Sequence, residues 1–343
     1  MKCVQLVEKR HLEVAEMPMD REPGPGEVMV RIKAVGICGS DLHWYMDGIV
    51  GEYRMPLPQI MGHEPAGEIV AVGPGVTSRK VGQRVAIEPA MACYHCEFCH
   101  IGKYNLCPNV KFLSSPPHPG CFREYVTIPV ANAAPIPDSM SMVQATIVEP
   151  LAVIMHMLEL TPIRMNETVA VMGAGPIGLL TAQGARLAGA GKVFSVDRVA
   201  HRARLAKKLG ADEGICAREA DPVESILDLT GGRGVDVVFD AAADSETLTN
   251  SLKVLRTGGR LCVVGISYET APRLDWHLAM NKEINIQTIR RSNHNDDAAI
   301  ALVAAGKITD AIVSHRFPLD RTADAFKLLE DYSDGVAKVI IEP

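Results

Sequence analysis

The sequence predicts an α/β protein built from two kinds of unit, one β-rich and full of loops, the other a doubly wound parallel sheet. Three observations point there. The chain has 343 residues, about twice the length of an ordinary single domain. Up to about Glu149 it reads as short β-type runs between Gly/Pro turns, and from Thr168 apolar strands alternate with helical stretches.

In the first part the strand candidates are Val28 to Val35, Gly67 to Val72 and Arg84 to Ile87, punctuated by turns such as Glu22-Pro23-Gly24-Pro25-Gly26. In the second part they are Val169 to Met172, Val193 to Val196, Val235 to Asp240 and Leu261 to Gly265. Ile177 to Leu187, Arg202 to Leu209 and Ser245 to Leu255 have helical length and spacing between them. Such alternation implies parallel strands with helices on both faces. One more helix, Asp296 to Ala305, and a last strand, Ala337 to Ile341, close the chain.

Composition excludes several classes. Apolar residues make up 47% and charged residues 22%, which rules out disorder, collagen and coiled coil. Thirty-five basic against 41 acidic residues give a net charge of -6, with no lysine or arginine run, so neither nucleic acid nor an anionic membrane is an expected partner. No basic-then-apolar leader opens the chain, and a cytoplasmic location is expected. The longest uncharged stretch, Thr168 to Ala185, is broken by five glycine or proline positions and reads as strand, turn and helix rather than a membrane span.

Four of the nine cysteines crowd together: Cys93, Cys96, Cys99 and Cys107. Four thiolates at this spacing let one loop wrap a tetrahedral ion and close its coordination sphere, as structural zinc requires. His95 and His100 lie in the same loop, are surplus to such a site, and are expected in solvent or in loop packing. A second, dispersed set comprises Cys38 in Gly36-Ile37-Cys38-Gly39-Ser40-Asp41, then Gly62-His63-Glu64, then Glu149 before Pro150. Thiolate, imidazole and carboxylate make a nearly neutral three-ligand cage for Zn²⁺ with a fourth position open to substrate.

The third motif is Gly173-Ala174-Gly175-Pro176-Ile177-Gly178, between an apolar strand and a helical stretch. Its glycines suit a tight turn, approach of backbone to a pyrophosphate, and close helix–strand packing over a helix N-terminus. Asp197 ends the next strand where a ribose diol can donate to it, which favours NAD over NADP. Arg198 and Arg202 follow it.

With these motifs in order along nearly the whole chain, the sequence resembles the zinc-containing medium-chain dehydrogenases, within them the sorbitol (polyol) dehydrogenase group. The resemblance implies a GroES-like β-rich catalytic domain, residues 1–151, returning as residues 290–343, around a Rossmann NAD-binding domain at residues 152–289, with the active site between them. It implies Cys38, His63 and Glu64 as ligands of a catalytic zinc, with Glu149 either completing the sphere or holding a water beside it. It implies Ser40 and His43 as a proton path, and Arg202, Val264, Gly265 and Ile266 with the Gly173–Gly178 turn and Asp197 as cofactor contacts. Arg290 is implied as a catalytic residue touching substrate or the zinc-bound water and as a cofactor contact, and Trp44, Phe112 and Arg291 for the substrate pocket. Arg291 stands where the group usually has an aromatic residue, and Trp44 where it often has tyrosine. A homotetramer, or failing that a dimer, is implied. The expected reaction is oxidation of a polyol to a ketose with NAD. The rivals are a sugar-acid or threonine-type dehydrogenase and a non-catalytic nucleotide-binding regulator.

Overall fold

A computed structural model describes residues 1–50 and 53–343. The chain divides into two compact units, Met1–Ala152 with Ser292–Pro343, and Val153–Arg291.

The first unit is organised on the strand Glu27–Gly36, whose alternate side chains Val28, Val30 and Ile32 are fully buried. One edge of this strand pairs antiparallel with Glu64–Val72, and the other is shared by Tyr125–Pro129 and the C-terminal strand Lys338–Glu342. Arg84–Ile87 and Ala133–Pro135 extend the sheet on one side, and Val313–Pro318 on the other. A smaller sheet joins Lys2–Glu8, His11–Glu16 and Gln59–Ile60. Their buried faces share one core with Phe122, Phe326, Tyr45 and Trp44. Burial of such a core drives the folding of the unit, at roughly 25 cal/mol per Å² of apolar surface removed from water.

In the second unit six parallel strands take the order Glu213–Cys216, Lys192–Asp197, Thr168–Met172, Val235–Asp240, Leu255–Val263 and Asn285–Thr288. The order therefore runs outward both ways from Thr168–Met172 and Val235–Asp240. With right-handed crossovers, that reversal puts the two groups of connecting helices on opposite faces and opens a crevice at the carboxyl ends of the two central strands. Both central strands are buried almost throughout.

Several parts of the chain differ from the sequence expectation. Between the helix Asp296–Ala304 and the last strand, where no further element is expected, stand the strand Val313–Pro318 and the helix Thr322–Asp331. The fifth strand begins at Leu255, directly after the helix Ser245–Val254, and ends at Val263 rather than Gly265. Thr257-Gly258-Gly259 reads as a break, yet the chain pairs across it through a register shift opposite Val235–Val237. The helix Val148–Leu160 was not anticipated. It belongs to the one stretch among the described residues, Met142–Leu160, long and apolar enough to cross a membrane, and 61% of that window is buried in the protein. Thr168 to Ala185 divides into a strand, the glycine turn and the helix Pro176–Leu187.

Candidate metal and nucleotide sites

Among the described residues, two groups bring metal-ligand atoms within 4.8 Å of one another: Cys93, Cys96, Cys99 and Cys107, and Cys38, His63 and Glu64. In the first, Cys96 is the N-cap of the one-turn helix Glu97–His100, so the loop folds back and brings the sulfurs together. Sγ–Sγ separations are 3.5 Å for Cys96–Cys99 and for Cys93–Cys107, and 4.0 Å for Cys93–Cys99. A tetrahedral zinc with metal–sulfur bonds of ~2.3 Å requires sulfurs about 3.8 Å apart, whereas a disulfide needs ~2.05 Å. All nine cysteines are unpaired, so the donor set fits a metal. Backbone donors at His95 lower the Cys93 thiol to about 6, while burial and the neighbouring thiols push Cys99 up to about 12. Sulfurs this close compete for charge, which a cation relieves. His95 and His100 are exposed.

The second group is assembled from two strands and a helix. Cys38 is the N-cap of the helix Gly39–Asp47. His63 and Glu64 stand at the start of Glu64–Val72, so the pairing of that strand with Glu27–Gly36 brings them to Cys38. Asp41, fully buried, ties the pieces together. It accepts from Cys38 N at 3.0 Å, Gly62 N at 3.1 Å and Ser114 Oγ at 3.1 Å, and lies 3.5 Å from His63 Nδ1. With Nδ1 turned to Asp41, Nε2 is the His63 nitrogen left for a ligand, and a carboxylate behind a metal-binding imidazole fixes its tautomer and raises its basicity. Burial opposes a proton on His63, but Asp41 and Cys38 outweigh it and raise its pKa well above the usual value. An anionic cage that draws a cation onto its imidazole is what a divalent metal would meet.

Glu149 is in the first turn of Val148–Leu160 and is not part of the three-residue group, though His63 and Glu64 both act on its charge. Burial, reinforced by Glu64, pushes its carboxyl up to about 7. Ser40 and His43 are partly exposed on Gly39–Asp47, one turn apart and hence on one face. Phe112 packs on the His63 ring at 5.4 Å between centroids, while Trp44 is 5% exposed within the apolar core. Lys338, to which the sequence assigned no part, is fully buried and donates from Nζ to Glu64 Oε2 and, at 3.0 Å, to Ile37 O. Nothing in the sequence marks Lys338, because its partners lie about 270 and 300 positions away. Asp41 does carry a signal, as the acid three residues after Cys38.

In the second unit, the turn after Thr168–Met172 lies at the reversal of strand order. Gly173 has φ of +94°, and a Cβ on Gly178 would stand 1.8 Å from Gly173 O, so neither position accepts a side chain. Gly175 caps Pro176–Leu187 with open space where its Cβ would be, leaving the helix N-terminus accessible to an anion. Asp197 ends Lys192–Asp197 and accepts from Ala174 N and Val199 N, each at 2.7 Å, which fixes the carboxylate beside the turn. Each oxygen keeps a free lone pair for a ribose hydroxyl. Arg202 is buried and Arg198 exposed. Val264, Gly265 and Ile266 follow the fifth strand, with the N–H groups of Val264 and Gly265 both on Asp240 O and Ile266 half exposed. Arg290 and Arg291 lie beyond the sixth strand, and Arg291 has a left-handed backbone with φ of +58°.

Comparison with known proteins places both parts of the chain in one family. Residues 24–138 match the family described as Alcohol dehydrogenase GroES-like domain, and residues 176–305 the one described as Zinc-binding dehydrogenase. A sorbitol dehydrogenase of Bacillus subtilis (strain 168) is 37% identical over 100% of this chain and 97% of its own. Among solved structures, a short chain alcohol dehydrogenase (rspB) from Escherichia coli CFT073 complexed with NADH superposes with a TM-score of 0.90 at 30% identity, over 100% of this chain and 99% of that one. A putative zinc-binding dehydrogenase from Sinorhizobium meliloti 1021 bound to NADP does so with a TM-score of 0.90 at 32% identity, over the same shares. With a GroES-like unit, a Rossmann unit and two clusters of metal-ligand type in one chain, the protein belongs to the zinc-binding medium-chain alcohol dehydrogenases, in their sorbitol dehydrogenase group.

Proposed function

We propose that the protein oxidises a secondary hydroxyl of a polyol of the sorbitol, iditol, xylitol or galactitol type to a ketose, with NAD as acceptor. The observation that carries this reading is the gathering of Cys38, His63 and the carboxylate of Glu64 about one point, with a further carboxylate, Glu149, in their field. The resemblance gives simple alcohol dehydrogenases a second cysteine at the Glu149 position, and the polyol enzymes glutamate.

Bound at Cys38, His63 and Glu64, zinc would supply a Lewis acid that lowers the pKa of the alcohol, and NAD at the glycine turn would supply the hydride acceptor. The chain supplies the rest. Asp41 orients His63, and the cysteine loop takes the second, structural ion. The alcohol proton must leave as the C–H bond gives up its electron pair. Ser40 and His43, one turn apart on the helix that begins at Cys38, form the proposed path, with Glu149 as a carboxyl whose raised pKa lets it hold a proton near neutrality. Phe112, Trp44, Arg290 and Arg291 are the proposed substrate contacts. Arg290 is also assigned to the cofactor, with Arg202, Val264, Gly265 and Ile266.

Asp197 favours NAD, because a 2′-phosphate would meet its charge. The unpaired state of all nine cysteines supports a reducing, cytoplasmic setting. The assembly proposed is a homotetramer, with a dimer as the smaller alternative, and light scattering on the purified protein distinguishes them. The functional test is NADH formation across sorbitol, xylitol and galactitol, with aldonates and threonine as rivals and NADP in parallel. Saturable polyol oxidation with NAD is expected. Activity confined to the acids would assign Arg290 and Arg291 to a substrate carboxylate and replace the polyol reading.

A further inference from the structure

Lys338 is among the largest fully buried side chains of the protein, with its side chain 1% exposed, and its ion-pair partner Glu64 is 2% exposed. Removing two charges from water costs several kcal/mol per ion, and a buried pair seldom adds net stability over apolar packing. The location of this pair is specific. Glu64, Gly36 and Ile340 stand side by side on three adjacent strands, and Lys338 lies on the same face as Ile340, two residues earlier. The lysine reaches past Gly36 to the glutamate. A Cβ on Gly36 would stand 2.0 Å from Glu64 Oε2 and 2.9 Å from Lys338 Cε, so the pair exists only because this strand position has no side chain. The second Nζ contact, at 3.0 Å, is Ile37 O, in the peptide bond leading into Cys38.

We infer that Lys338 is a positioning residue of the Cys38–His63–Glu64 metal centre, holding one carboxylate oxygen of Glu64 so that the other faces the cation and anchoring the backbone that carries Cys38. This rests on reading those three residues as ligands. It also sets the charge of the site: thiolate and carboxylate neutralise a divalent cation, and the ammonium restores one positive charge where an alcohol must lose a proton.

The test uses the full chain carrying its zinc, with K338M and the uncharged hydrogen-bonding K338Q. Chelator competition is followed by zinc per chain, and a cobalt-substituted sample by its visible d–d absorption. The zinc of Cys38, His63 and Glu64 is expected to bind roughly 10–100-fold more weakly in both variants, the usual effect of losing a group that orients a ligand. The four-cysteine zinc should stay, and the cobalt bands should shift. A structural role alone would lower the melting temperature and leave the cobalt spectrum unchanged. Should K338M also shed the four-cysteine zinc, K338Q decides. Affinity within two-fold of the parent in the variant that keeps the loop zinc overturns the inference. A parent protein with zinc only in the cysteine loop would instead sink the ligand assignment, and this inference with it.

Discussion

Asp41 ties together more of the candidate metal centre than any candidate ligand does, since its two oxygens receive the backbone at Cys38 and Gly62, the Ser114 hydroxyl and the His63 ring. Asp41→Asn keeps the shape but puts an amide where several donors converge, so at least one of them loses its acceptor. The expected outcome is a roughly 10–100-fold weaker first zinc with the cysteine-loop zinc intact, read by elemental analysis after dialysis against a chelator. The three candidate ligands were legible from the sequence because each stands in a short motif. Lys338 was not, since a lysine in an apolar C-terminal strand, Lys338-Val339-Ile340-Ile341, reads as an edge or surface charge until its neighbours are known. Among the described residues, Cys3, Cys121, Cys216 and Cys262 are buried outside both groups of metal-ligand type, as packing residues would be, and burial pushes the Cys121 thiol up to about 12.

Among the elements, the strand–turn–helix of Thr168–Leu187 was the most legible, because the glycines that admit an anion are also the ones that the local geometry demands. Val148–Leu160 was not legible: its run is apolar on nearly every side, so it shows no amphipathic period. The Val235–Asp240 strand is held at its start by Asp236, which accepts from Arg233, Arg256 and Thr168 N at 2.6 to 2.9 Å. Burial opposes its charge, but these donors outweigh it and hold the carboxyl well below the usual carboxylate range. A depressed carboxylate stabilises the fold fully above its unfolded pKa of about 3.9, and that stability is lost as pH falls further. Asp236→Asn should therefore cost about 2 kcal/mol at pH 7, less as the parent is acidified below pH 4. Urea unfolding at pH 7 and pH 3 checks it, and an equal difference at both would contradict the pairing.

At the scale of the molecule, both groups of metal-ligand type belong to the unit Met1–Ala152 with Ser292–Pro343, and the glycine turn with Asp197 to the unit Val153–Arg291. Stripping both metals should consequently leave NADH binding within about three-fold of the holoprotein by fluorescence titration, while polyol oxidation is abolished. Loss of binding with the metal would mean that the nucleotide site is not complete within its own unit. Local motifs were readable without the fold, because four cysteines in one loop, or a glycine turn between a strand and a helix, hold their chemistry in a few adjacent residues. How the dispersed centre is held came from the folded chain alone. Pairing of Glu64–Val72 and Lys338–Glu342 with opposite edges of Glu27–Gly36 is long-range, and it alone places the ammonium of residue 338 on the carboxylate of residue 64 across a glycine.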